Sequence, residues 1–174
     1  MPRTFLVPGI VAGILLGIAS VLLAKANLGY GTTEIIGLAV MAFAAGAAQI
    51  ATSRYARGNI PQLAAFLPRY FLAMLAGAVT ALAYGLTSWL HYAVIDREYL
   101  ERFYLQYVER ARAAAASPEE ARKLLAAAGR MKEFITDPFS QAMVQFGTVL
   151  MIALLTGLIV AGFARPRGMS GKLQ

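Results

Sequence analysis

Uncharged positions, most of them apolar, run unbroken through four stretches of the chain: Phe5 to Ala24, Ile35 to Thr52, Tyr70 to Ile95 and Phe139 to Ala164. Each is long enough to cross a hydrocarbon layer of about 30 Å at a helical rise of about 1.5 Å per residue. Between the third and fourth stretches the pattern changes. Tyr99, Leu100, Phe103, Tyr104, Tyr107 and Val108 recur at three and four residues, which predicts an amphipathic helix with charged residues on its other face. Ser117 reads as an N-cap, with Pro118 at the first helical position and Glu119 and Glu120 in the first turn. Leu124, Leu125, Ala128, Met131 and Ile135 then repeat at helical spacing, and Asp137-Pro138 caps the fourth long helix. The pattern predicts an all-α polytopic membrane protein. It has a single membrane domain over residues 1–174, four transmembrane helices (about 5–24, 35–52, 70–95 and 139–164) and an extramembrane helical hairpin at about 97–135.

Charge strengthens this reading. All nine acidic residues fall in two of the connecting segments, while seven basic residues and no acid occupy the three segments that alternate with them. Arg3, then Arg54, Arg57 and Arg69, then Arg165, Arg167 and Lys172 share one side of the membrane after four crossings. The positive-inside tendency makes that side cytoplasmic, with both termini inside and the hairpin outside. The net charge of +7 is scattered over membrane edges and forms no stripe interleaved with aromatics, so nucleic acid is not an expected partner. Anionic lipid headgroups are, at about 1 kcal/mol per well-placed basic residue. Met1 to Ala26 has features of a secretory signal, but its apolar run is too long for one and the segment is expected to stay as the first span.

Polarity inside the spans limits the chemistry. No Asp, Glu, Lys or Arg interrupts them, which argues against a proton pump or ion-coupled carrier. Cysteine is absent and His91 is the single histidine, so thiol chemistry and multi-histidine metal centres are excluded, and no cofactor is expected. Glu34 is expected in the first turn of the second span, where the helix dipole favours a carboxylate. What remains is uncharged: Gln49, Thr80, Tyr84, Thr87, Gln141, Gln145, Thr148 and Thr156. They read first as interhelical hydrogen-bonding groups, and Tyr84, Gln141 and Gln145 as the lining of a small ligand pocket between spans three and four. Gly9, Gly13 and Gly17, four residues apart, place a close helix-helix contact on span one. Tyr99, Phe103, Tyr104 and Tyr107 form either the packed seam of the hairpin or a surface for a partner.

Three short stretches carry a family resemblance: Gly58, Ile60, Ala65 and Phe66 before span three, Ile95-Asp96-Arg97-Glu98-Tyr99-Leu100 after it, and Asp137-Pro138-Phe139 entering span four. In these the chain resembles the bacterial domain-of-unknown-function 4199 family of small four-span membrane proteins. The resemblance implies a bacterial cytoplasmic membrane and brings no activity or site residues with it. The residues themselves point to a non-enzymatic accessory or assembly subunit, working through helix packing, its extracytoplasmic hairpin and a membrane-protein partner. The alternative is a small-molecule or lipid carrier working as a homo-oligomer.

Overall fold

The computed structural model describes residues 3–26, 30–59 and 66–163, and among these the chain is helical with short links and no strand. The long helices are α1 (Arg3–Lys25), α2 (Tyr30–Asn59), α3 (Phe66–Leu90) and α7 (Pro138–Phe163). Between α3 and α7 lie α4 (Tyr99–Ala113), α5 (Pro118–Arg130) and the short α6 (Lys132–Thr136). Four helical segments are long and apolar enough to span a membrane: Phe5–Lys25, Thr32–Ala56, Phe66–Ile95 and Pro138–Phe163. The protein is therefore a polytopic helical membrane protein with four spans. Ile60 and Ala65, and the basic Arg165, Arg167 and Lys172, lie outside the described residues.

Both ends of α2 and the start of α3, at Phe66 in place of Tyr70, differ from the sequence reading. α2 continues past Thr52 through Arg54 to Asn59, because a charge marks the edge of the hydrocarbon and leaves the backbone hydrogen-bond ladder intact. It also begins at Tyr30, which puts Glu34 in the second turn, so the expected first-turn carboxylate is not there. At the far end of α3 the ladder loosens into one π turn, His91–Ile95, in which the Asp96 N–H donates to the His91 carbonyl at 2.8 Å.

The described residues form two compact units, one from within 3–84 and 146–163 and the other from 85–145. α3 and α7 each run from one unit into the other. In the first unit, Leu16 of α1, Met41 of α2, Ala81 and Tyr84 of α3 and Val149 of α7 make one buried cluster, so all four spans contribute to a common core. Val40, Ala44, Phe146, Leu150 and Ile152 pack against it, and Ala45, Ala48, Ala73, Ala76 and Ala153 are also buried. Large apolar side chains such as Leu15, Leu22, Phe43, Phe71 and Phe163 face outward, as they would toward lipid.

In the second unit α4, α5 and α6 pack on one another. Ser117 accepts a hydrogen bond from the Glu120 N–H at 3.2 Å, and the Glu120 carboxylate accepts from the Ala116 N–H at 2.8 Å, which together fix the start of α5. Asp137 accepts from the Ser140 N–H at 2.7 Å and starts α7 in the same way. These bonds hold the Asp137 carboxyl below the usual aspartate range, with the Ser140 hydroxyl as the larger cause and its backbone N–H next. Lys132 bridges the hairpin, pairing with Glu101 at 3.0 Å while its ammonium sits 5.4 Å from the centre of the Tyr104 ring. The Glu101 carboxylate raises the Lys132 ammonium above the ordinary lysine range. On exposed faces Glu119 pairs with Lys123 at 3.1 Å and Glu98 with Arg102 at 3.4 Å, each four residues apart. Arg102 also pairs with Asp96.

Candidate functional site

One buried polar group inside the first unit, Gln49, lies where α2, α3 and α7 meet. Gln49 is fully buried there, and its Nε2 donates to the Ala153 carbonyl of α7 at 2.7 Å. Two glycines make room for it. A Cβ on Gly77 of α3 would lie 2.5 Å from Ala153 Cβ and 3.0 Å from Gln49 Nε2, and one on Gly157 of α7 would lie 3.4 Å from Gln49 Nε2. Thr52, one turn further along the same face of α2, is also fully buried. Gln49 Oε1 and Thr52 Oγ1 have no hydrogen-bond partner among the described residues. In an apolar interior each such oxygen costs about 1 to 3 kcal/mol. Thr80 of α3 is also fully buried and is satisfied within its own helix by donating to the Ala76 carbonyl at 3.0 Å.

α1 closes on α3 at two of its glycines. A Cβ on Gly9 would meet Val79 Cβ at 2.7 Å and the Ala76 carbonyl oxygen at 2.9 Å. One on Gly13 would meet Ala83 Cβ at 2.5 Å and the Thr80 carbonyl oxygen at 2.6 Å. Gly17 is buried as well. Two turns beyond Gly13, the Ser20 and Tyr84 hydroxyls are 3.0 Å apart and hydrogen-bonded, with Tyr84 in the core.

The three residues considered as a ligand pocket are engaged in different ways. Tyr84 is held by Ser20, Gln141 donates from Nε2 to the Phe134 carbonyl at 3.2 Å, and Gln145 is half-buried with hydrogen-bonding or other polar contacts of its own. Of the aromatic face of α4, Tyr99 stacks on Tyr92 with ring centres 5.4 Å apart and meets His91 edge-on at 5.3 Å. Phe103 and Tyr104 are half-buried, and Tyr107 is 37% exposed. Much of that face thus serves the internal packing of the second unit. Beside Tyr107, the apolar side chains turned outward on the hairpin include Leu105, Met131 and Phe134, at 53%, 45% and 47% exposure.

Sequence reasoning counted Gln49 among the polar groups of the spans but did not select it, and it missed Ser20 and Thr52. The available signal was the set of small residues near Gln49 on its own helix, Ala45, Ala48 and Ala56, since a polar side chain amid small residues can reach a neighbouring backbone. Among the described residues no three His, Asp or Glu side chains come together as a metal site would require.

Four apolar helices joined by a charged, capped helical hairpin define the class, a small polytopic α-helical membrane protein. Within that class the chain belongs to the family described as protein of unknown function (DUF4199), whose model matches residues 8–166. No curated protein and no solved structure matches it significantly.

Proposed function

We propose that the protein is a non-enzymatic accessory or assembly subunit of a bacterial cytoplasmic membrane, with both termini on the cytoplasmic side and the hairpin on the other. The observation that supports it most is the outward display of Leu105, Met131 and Phe134 on a hairpin too charged to rest within hydrocarbon. The polar groups of the spans support it too, because Gln49, Ser20 and Tyr84 join helices to one another. A second reading, a small-molecule carrier working as a homo-oligomer, draws on the unpartnered Gln49 and Thr52 oxygens, which a bound polar molecule would satisfy.

The deciding experiment is mass spectrometry of the full chain purified at native expression in mild detergent, beside the double variant Leu105→Glu and Phe134→Glu. The accessory reading expects a stoichiometric membrane-protein partner with the wild type and its loss with the variant. A homo-oligomer retaining a small polar molecule, with no foreign chain, would overturn it in favour of the carrier.

A further inference from the structure

On the outer face of the first unit, α2 and α7 leave an open groove of about 710 Å³. Ala42, Gly46 and Ile50 line one wall, Ile159 and Val160 the other, and Arg54 closes one end. Gly46 is not a packing glycine: a Cβ there would meet nothing within 4 Å, so its missing side chain opens the groove. The wall is otherwise apolar, since the Thr156 hydroxyl that also lines it donates to the Ile152 carbonyl of its own helix at 3.0 Å. Arg54 stands two helical turns beyond Gly46 on the same face, about 12 Å along the axis, at the edge of the second span. It makes no ion pair with a described residue, and its guanidinium can reach the headgroup layer while its stem stays against the groove.

We infer that this groove is a binding site for one anionic phospholipid, with an acyl chain lying along Gly46 and Ile50 and the phosphate paired with Arg54. The volume falls within the roughly 300 to 1,000 Å³ of ligand sites. Length, apolar lining and a cation at the membrane edge match a molecule that is a hydrocarbon chain ending in a phosphate. The guanidinium fork complements phosphate oxygens bidentately, which separates such a lipid from a neutral apolar occupant. The site depends on the membrane location of the four helices and not on the accessory role, so loss of a partner from the hairpin leaves it unaffected.

The test uses the full chain reconstituted in nanodiscs of equimolar phosphatidylglycerol and phosphatidylcholine, then released for native mass spectrometry. Wild type is expected to retain one phosphatidylglycerol in preference to phosphatidylcholine. Arg54→Gln should lower that preference about tenfold, the worth of one charge-assisted hydrogen bond. Gly46→Leu, which fills the groove from a position with free space, should lower retention of both lipids; Ala47→Leu on the same wall provides a second filling variant should the first fail to fold. Equal retention by wild type, Arg54→Gln and the filling variants overturns the proposal. So does a shift from dimer to monomer in the filling variants without a change in bound lipid, which would make a second copy of this chain the occupant.

Discussion

Replacing Gly13 with alanine adds one methyl group at the point where α1 touches α3. That Cβ would stand 2.5 Å from Ala83 Cβ and 2.6 Å from the Thr80 carbonyl oxygen, where ordinary contact begins near 3.4 Å. One obstacle is backbone and the other a Cβ fixed to backbone, so neither can swing aside; the helices must part by about 1 Å. Overpacking of this kind costs about 1 to 3 kcal/mol. The separation also strains the Ser20–Tyr84 hydrogen bond two turns along α1, worth about 0.5 to 1.5 kcal/mol. The sum, about 1.5 to 4.5 kcal/mol, exceeds the roughly 1 kcal/mol of helix propensity that alanine gains over glycine and leaves a net cost of about 0.5 to 3.5 kcal/mol. Gly46→Ala is the control, because its added methyl meets nothing within 4 Å and only the propensity term remains. Thermal unfolding in one detergent, at about 2 to 4 °C per kcal/mol for a chain of this length, should show Gly13→Ala melting lower by roughly 1 to 14 °C and Gly46→Ala unchanged or slightly higher. If the two variants move together, in either direction, the close contact of α1 with α3 is not what Gly13 provides.

Two further outcomes follow from the polar groups. Gln49→Leu removes both the bond to Ala153 and an unpartnered buried oxygen, two terms of similar size and opposite sign, so its melting temperature should stay within a few degrees of wild type. Gln49→Ala keeps neither bond nor volume and should cost about 2 to 4 kcal/mol, and equal stability of the two variants would contradict the packing around Gln49. Asp137 has a folded pKa below its unfolded value, so its cap contributes stability above the ordinary aspartate value of about 3.9 and loses it as pH falls through the lowered folded value. The difference in melting temperature between wild type and Asp137→Asn should therefore shrink toward zero across that acid window, and a difference constant with pH would show that the carboxylate charge is not what the cap uses.

Much of the architecture was written locally. A membrane span is a matter of length and absence of charge, which the four uncharged runs satisfy by themselves, and the caps at Ser117-Pro118 and Asp137-Pro138 depend on atoms within four residues. The family resemblance was legible for the same reason, since its motifs sit at helix boundaries. The far ends of helices were less so: α2 runs on to Asn59 because Arg54 can remain helical while its charge reaches water.

What the chain does with identical residue types was decided by tertiary structure. The four-residue spacing of Gly9, Gly13 and Gly17 marked a close contact without saying with which helix, and nothing in the spacing of Gly46 announced a groove, because only the arrangement of α1, α2, α3 and α7 says what lies opposite each. Gln49 looks like any of the polar residues of the spans until Gly77 and Gly157, distant in sequence, clear a path to the Ala153 carbonyl. The tyrosines of α4 divide between stacking on Tyr92 and packing in the hairpin for the same reason. Length, charge and capping are local quantities, readable one segment at a time. Who packs against whom is a property of contacts between segments, and in a membrane, where lipid is as apolar as the helix surface, those contacts are selected by shape and hydrogen bonding and leave little trace in the apolar pattern.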